Sequence, residues 1–199
     1  MAPKRIGVLG GTFDPVHTGH VVAAVDARQQ ARLDTVLLVV ANVPWQKSGA
    51  RDVTPAEDRY ALLEAAMSGV EGMVPSRIEI DRGGESYTAD TIDQLAAAEP
   101  GAELFVIVGT DVAAQLHTWV RIDELRRRAG LVVVTREGSN GGIGLSGWTH
   151  GIQVVEIPDL AISGTDIRSR VAEGRPIDGL VPPAAVQLIR KRGLYAGPG

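Results

Sequence analysis

Arg5-Ile6-Gly7-Val8-Leu9-Gly10-Gly11-Thr12-Phe13-Asp14-Pro15-Val16-His17-Thr18-Gly19-His20 reads as a short apolar strand that breaks on two glycines and runs into a helical pattern. A strand-to-helix turn of this kind is where open α/β sheets hold phosphates, because main-chain amides and the helix dipole converge there. Gly10 and Gly11 let the backbone approach a bound group closely. With Thr18 as the cap of the next helix, His20 falls in its first turn and His17 just before it, so two imidazoles stand beside an end that favours negative charge.

Working outward, further strand-length apolar runs lie at Val36 to Ala41, Leu104 to Val108, Leu131 to Thr135 and Ile152 to Ile157, with Arg77 to Ile80 as an additional strand. Their Val and Ile content suits strands covered on both faces. Helical patterns separate them at His20 to Ala31, Pro55 to Met67, Thr88 to Ala98, Val112 to His117 and Ile122 to Ala129, and two more, Thr165 to Ala172 and Pro183 to Arg192, close the chain. Thr54 reads as a cap with Pro55 in the first turn, followed by Glu57 and Asp58. The alternation predicts a Rossmann-like α/β fold, doubly wound, with a mainly parallel sheet and helices on both faces. Residues 1–199 read as a single domain that includes a C-terminal helical segment over about 163–195. Five glycines between Gly138 and Gly147 read as a flexible excursion after a strand rather than as a linker between domains.

An apolar fraction of 44% places the chain among globular proteins, and its net charge of −4 argues against a broad nucleic-acid surface, which needs a basic excess. Cysteine is absent, which excludes disulfides, thiolate metal sites and a cysteine nucleophile. The apolar run after Lys4 and Arg5 is too short for a signal-peptide core, and none approaches membrane-spanning length. A cytoplasmic protein with no membrane and no nucleic-acid partner is expected. The oligomeric state, monomer or homo-oligomer, stays open.

Gly7, Gly10 and Gly11 do not form the G-x-G-x-x-G dinucleotide fingerprint, and no Walker A sequence is present. A second constellation, Ile162-Ser163-Gly164-Thr165-Asp166-Ile167-Arg168, resembles a helix cap with Asp166 three residues after Ser163. Arg168 lies about one turn inside that helix, where its planar donors can reach back toward phosphates. Gly109-Thr110-Asp111 ends the Leu104 to Val108 run at the carboxyl edge of the sheet, where Asp111 can accept from ribose hydroxyls and Gly109 admits a nucleotide, or where Asp111 serves as a plain helix cap.

Taken together, Gly-Thr-Phe-Asp-Pro-Val-His-Thr-Gly-His and Ile-Ser-Gly-Thr-Asp-Ile-Arg resemble the paired H-x-G-H and I-S-S-T-x-x-R signatures of the nucleotidyltransferase superfamily. The resemblance implies that Gly10, Gly11, Thr12, Phe13, His17, His20, Gly109, Asp111, Ser163, Thr165 and Arg168 hold ATP, with His17, His20 and Arg168 catalytic. Gly164 departs from the pattern, since many relatives have a second serine there; the backbone N–H is retained and a hydroxyl contact is lost.

The middle of the chain bears on the acceptor. Pro44-Trp45-Gln46-Lys47, Ser86-Tyr87-Thr88-Ala89-Asp90-Thr91 and Thr118-Trp119 resemble features of bacterial nicotinate-mononucleotide adenylyltransferases, in matching order along nearly the whole chain. By that resemblance Thr88 and nearby backbone hold the nicotinate carboxylate, Trp119 stacks on the ring, and Lys47 engages the mononucleotide phosphate; Arg136 looks like another acceptor-site residue. Singly, each also has a structural reading as a cap, a packing residue or a solvated charge.

The implied reaction is AMP transfer from ATP to nicotinate mononucleotide, giving nicotinate adenine dinucleotide and pyrophosphate. The acceptor already carries a phosphate nucleophile, so positioning and charge neutralisation carry the chemistry and no strong base is needed. Mg²⁺ is expected on the ATP phosphates, with no protein metal ligand evident. With ordinary imidazole pKa values of about 6.5, the histidines are partly neutral near neutrality, and bound polyphosphate favours their charged form. Alternatives are phosphopantetheine or nicotinamide mononucleotide as acceptor, and a catalytically silent nucleotide-binding protein that keeps the pocket.

Overall fold

The computed structural model describes residues 2–44, 53–136 and 147–197. Six strands, β1 (Arg5–Gly11), β2 (Thr35–Val40), β3 (Met73–Ser76), β4 (Glu103–Gly109), β5 (Gly130–Arg136) and β6 (Ile152–Ile157), form one sheet in the order β3-β2-β1-β4-β5-β6. Every neighbouring pair is parallel. This is the doubly wound arrangement expected from the alternation of strands and helices, and its winding reverses between β1 and β4.

Period-two alternation sorts the strand side chains onto two cores. Val36, Leu38, Val40, Phe105 and Ile107 face a cluster completed by Ala24 and Ala27 of α1 (Thr18–Gln30), Leu62 and Leu63 of α2 (Ala56–Met67), Ile167 of α7 (Gly164–Ala172), and Val186 and Ile189 of α8 (Pro183–Arg192). Val8, Val39, Leu104, Val106 and Val108 face the other, completed by Ile92 and Leu95 of α4 (Thr88–Ala98) and Leu125 of α6 (Ile122–Arg128). The sheet is therefore covered on both faces, as its near-continuous apolar strands require. Among the described residues, no helix is long and apolar enough to cross a membrane.

Several boundaries differ from expectation, each for a local reason. The strand expected at Arg77 to Ile80 lies instead at Met73–Ser76, pairing with β2 from Val36↔Met73 to Val39↔Ser76, while Ile78–Arg82 forms the short helix α3. Ile78-Glu79-Ile80 imitates strand alternation, but Glu79 is buried and accepts a hydrogen bond from Thr91 Oγ1 at 2.6 Å, which ties α3 to α4. Pro75 fits β3 because an edge strand tolerates its missing donor. The helix expected over Val112 to His117 divides into α5 (Thr110–Ala113) and a 3₁₀ turn (Leu116–Thr118). Thr54 does not cap α2: Pro55 is the N-cap without a side-chain bond, and Thr54 O accepts from Arg59 Nε at 2.7 Å. The excursion predicted over 138–147 lies outside the described residues except for Gly147.

Candidate active site

β1 continues through both glycines to Gly11, so the turn begins later than the glycines alone indicate. Gly10 is exposed, and a Cβ added there would meet nothing within 4 Å. At Gly11 a Cβ would stand 2.9 Å from the Phe13 ring, so this glycine is required by the close approach of that ring. Phe13 itself is only 2% exposed and packs edge-on to His20, with ring centroids 4.9 Å apart. Its side chain thus acts as a buried support for His20.

His17, rather than Thr18, is the N-cap of α1. Its backbone N–H donates to His20 Nδ1 at 3.2 Å, the half of a capping box in which the third helical residue reaches back to the cap. The Thr18 N–H is taken by the Leu180 carbonyl at 2.8 Å, which removes one of the helix-end amides expected to be available to an anion. The two imidazoles stack with centroids 3.7 Å apart. Burial pushes the His17 pKa from 6.5 down to about 4, and its Nδ1 is buried without a hydrogen-bond partner among the described residues. A neutral His17 in the free protein is the result. Negative charge arriving beside His17 favours its protonated form.

This depression has a stability consequence of definite sign. Between pH 6.5 and 4 the unfolded chain binds a proton at His17 that the folded chain refuses, so stability is lost as pH falls through that window. Wild type is expected to lose roughly 2 to 3 kcal/mol more than His17→Gln between about pH 7 and pH 4.5, measured by urea denaturation. Equal losses in the two proteins would contradict the assignment.

Both histidines open onto a cleft of about 420 Å³ at the carboxyl ends of the strands. Its lining takes Leu9 from β1, Gly109 from the end of β4, Val134 and Arg136 from β5, and Ile157 from β6, with Gly19 and Ala23 of α1 and Thr110 and Asp111 of α5. His17, His20, Gly109, Asp111 and Arg136 are thereby brought together from three separate segments of sequence. Asp111 is exposed and occupies the first turn of α5 rather than its cap, which is Gly109. Arg136, expected with the acceptor group, shares this cleft with the histidines and pairs with Asp159 at 3.4 Å, both side chains being largely exposed.

α7 begins as expected: Ser163 is its N-cap, and its Oγ accepts from the Asp166 N–H at 3.1 Å. A hydroxyl that accepts keeps its own proton to donate. Arg168 does reach back, but to the β1–α1 loop: Nη1 donates to the Asp14 carbonyl at 2.6 Å and Nη2 to Thr165 Oγ1 at 3.1 Å. A Cβ at residue 164 would lie 2.8 Å from that same Asp14 carbonyl, so glycine there lets the end of α7 close onto the loop. Tyr195 donates to Asp14 Oδ1 at 2.8 Å, adding a C-terminal brace to the loop. Gly10, Gly11, Thr12, Phe13, Ser163, Thr165 and Arg168 thus border the cleft through the loop and the helix cap without lining it.

Thr88 and Trp119 stand apart from that cleft. Thr88 is the first residue of α4, whose N-cap Tyr87 makes no side-chain cap bond. Trp119 follows the 3₁₀ turn, packs partly buried against the second core, and has its Nε1 buried without a partner among the described residues. Arg121, in the left-handed region at φ 58°, donates to Asp90 at 2.6 Å and Asp93 at 2.8 Å, which holds the Trp119 segment to the first turns of α4. Lys47, predicted to meet the acceptor phosphate, lies outside the described residues.

Sequence reasoning missed the apolar part of the cleft, above all Leu9, Ala23, Ile157, Leu160 and Ile162. Their signal was positional: Leu9 and Ile157 fall near the carboxyl ends of strands that the pattern had already located.

The chain matches the model of the cytidylyltransferase-like family over residues 8–170. It is 46% identical over 198 residues to a Saccharopolyspora erythraea protein named "Probable nicotinate-nucleotide adenylyltransferase", spanning 98% of this chain and 91% of that one. A Streptomyces coelicolor protein of the same name is 46% identical over 192 residues, spanning 95% of this chain and 100% of the relative. Among solved structures, the Plasmodium falciparum nicotinic acid mononucleotide adenylyltransferase complexed with NaAD superposes with a TM-score of 0.75 at 16% identity, covering 96% of this chain and 97% of that one. At that identity the likeness speaks for the fold.

Proposed function

The chain belongs to the cytidylyltransferase-like family, and from that premise we propose that it is a cytoplasmic nicotinate-nucleotide adenylyltransferase, moving AMP from ATP to nicotinate mononucleotide and releasing pyrophosphate. The observation that carries this reading is the convergence of His17, His20, Asp111 and Arg136 on one cleft at the carboxyl edge of the sheet.

The acceptor phosphate oxygen attacks the α-phosphorus of ATP as the bond to pyrophosphate breaks. A phosphate monoester is already anionic at neutral pH, so the protein needs to align the attacking oxygen and accommodate charge rather than remove a proton. His17 and His20 stand at the N-terminus of α1, where a bound phosphate supplies the negative charge that makes protonation of His17 favourable. Arg168 holds the loop through Asp14 and adds a permanent positive charge beside it. Asp111 accepts from ribose hydroxyls at the end of β4. Among the described residues no group of three or more His, Cys, Asp or Glu side chains is set to hold a metal, and Mg²⁺, carried on the ATP phosphates, supplies charge neutralisation for the leaving pyrophosphate.

On the acceptor side, the side-chain-uncapped start of α4 at Thr88 suits the nicotinate carboxylate, and Trp119 offers an aromatic face held to that helix by Arg121. Arg136 meets the acceptor phosphate from the cleft, and Lys47 completes its charge neutralisation. The purified protein with ATP, Mg²⁺ and either nicotinate mononucleotide, nicotinamide mononucleotide or phosphopantetheine is expected to form its product fastest, by kcat/KM, with the nicotinate. An amide cannot replace a carboxylate at a helix start without losing the charge-assisted hydrogen bonds. Preference for either of the other acceptors would overturn the assignment.

A further inference from the structure

Arg59 is the largest fully buried side chain among the described residues, at 1% exposure, and it belongs to none of the sequence motifs. A buried guanidinium is costly unless its donors are satisfied. Here they are spread over three separate segments. Nη1 donates to the Thr12 carbonyl at 2.8 Å, Nη2 to the Asn42 carbonyl at 3.1 Å, and Nε to the Thr54 carbonyl at 2.7 Å. Thr12 belongs to the loop between β1 and the histidines. Asn42 follows β2, and it extends the connection further: its N–H donates to Ser86 Oγ at 2.8 Å and its Nδ2 to the Gly84 carbonyl at 3.0 Å. Ser86 N–H in turn donates to the Val43 carbonyl at 3.1 Å, two residues before Thr88 opens α4.

We infer that Arg59 is a positioning residue that fixes the distance between the two substrates, joining the ATP loop at Thr12 to the acceptor helix at Thr88 through Asn42 and Ser86. The inference rests on the proposed assignment of those two segments to ATP and to nicotinate mononucleotide. In-line transfer depends on the spacing of two independently bound substrates, and the segments assigned to them come from opposite sides of β2. The sheet fixes where the strands end but not where their exit loops stand. A planar fork with donors in several directions can pin three carbonyls at once, whereas an ammonium on a flexible stem cannot reproduce that geometry.

Arg59→Lys is the informative variant, because it keeps the buried charge and most of the packing while giving up the fork. Removing all polar groups, as in Arg59→Met, would leave three carbonyls unsatisfied and confound positioning with unfolding. Arg59→Lys is expected to retain a cooperative thermal transition while kcat falls between about ten- and a hundredfold, the range for misplacement of reacting groups by a fraction of an ångström to an ångström. Its affinity for a non-hydrolysable ATP analogue, measured by calorimetry, is expected to drop as the Thr12 loop loosens. Ser86→Ala cuts only the acceptor arm, so it should raise KM for nicotinate mononucleotide and leave the affinity for the ATP analogue unchanged. A folded Arg59→Lys protein with wild-type kcat and analogue affinity, or a Ser86→Ala effect falling equally on both ligands, would overturn the inference. Wild-type protein that forms no dinucleotide would overturn the proposed function instead, and the analogue-binding comparison still decides the tie between Arg59 and the Thr12 loop.

Discussion

Replacing His20 with alanine is expected to lower kcat by about 10²- to 10³-fold, the range seen when one preorganised donor to a developing charge is removed. The expectation rests on the position of His20 in the first turn of α1, on the wall of the cleft and braced edge-on by the buried Phe13 ring. Its structural duty is small by comparison. His20 Nδ1 accepts one hydrogen bond, from the His17 N–H at 3.2 Å, at a partly buried position. A single bond of that kind contributes about 1 kcal/mol. Thermal denaturation of His20→Ala should therefore shift by only a few degrees, while steady-state turnover collapses. His17→Ala is expected to follow the same pattern, with some gain in stability at acidic pH because a buried, proton-refusing imidazole is gone. Near-wild-type turnover in both variants would remove the histidines from the chemistry.

Arg168 carries the second large effect. Arg168→Ala is expected to cost about 10³-fold in kcat/KM, since it removes a permanent charge from beside the proposed ATP-phosphate site and also frees the Asp14 carbonyl that Nη1 holds at 2.6 Å. Arg168→Lys separates the two contributions. It restores a positive charge but not the fork that spans Asp14 and Thr165, so it should recover only part of the loss. Steady-state kinetics of the three proteins check this, with KM for ATP and kcat read separately. Full recovery in Arg168→Lys would mean that charge alone matters and that bracing of the β1–α1 loop does not.

The legible part of this fold was its alternation. Strands buried on both faces announce themselves as Val- and Ile-rich runs, and four of the five main runs needed only a residue or two at their ends to become β1, β2, β4 and β5, with Ile152–Ile157 correct as read. What misled was local. Ile78-Glu79-Ile80 looks like strand alternation until Thr91, distant in sequence, provides the buried partner that lets Glu79 turn inward. His17 displaced Thr18 as a cap because Thr18 is engaged by Leu180, a contact 162 residues away that no local pattern contains.

The site divides in the same way. Motif residues could be chosen from their types and spacing, but their roles depend on tertiary neighbours. Spacing gave no sign that the Phe13 side chain is buried as a support for His20, or that a Cβ at Gly11 would meet the Phe13 ring. Gly164 reads as a lost hydroxyl, whereas in place it permits the end of α7 to approach the Asp14 carbonyl. Arg59 gave no motif signal at all, since an arginine in a helix is ordinarily a surface residue and only the converging carbonyls of Thr12, Asn42 and Thr54 make its burial tolerable.

The central claim is acceptor-dependent adenylyl transfer at the cleft that holds His17 and His20. It is tested most directly by following pyrophosphate and dinucleotide together from ATP and Mg²⁺, with and without nicotinate mononucleotide. The account predicts that the two products appear in equal amounts, only when the acceptor is present, and that both nearly vanish in His20→Ala. ATP binding without acceptor-dependent release of pyrophosphate, or release that ignores the acceptor, would contradict it.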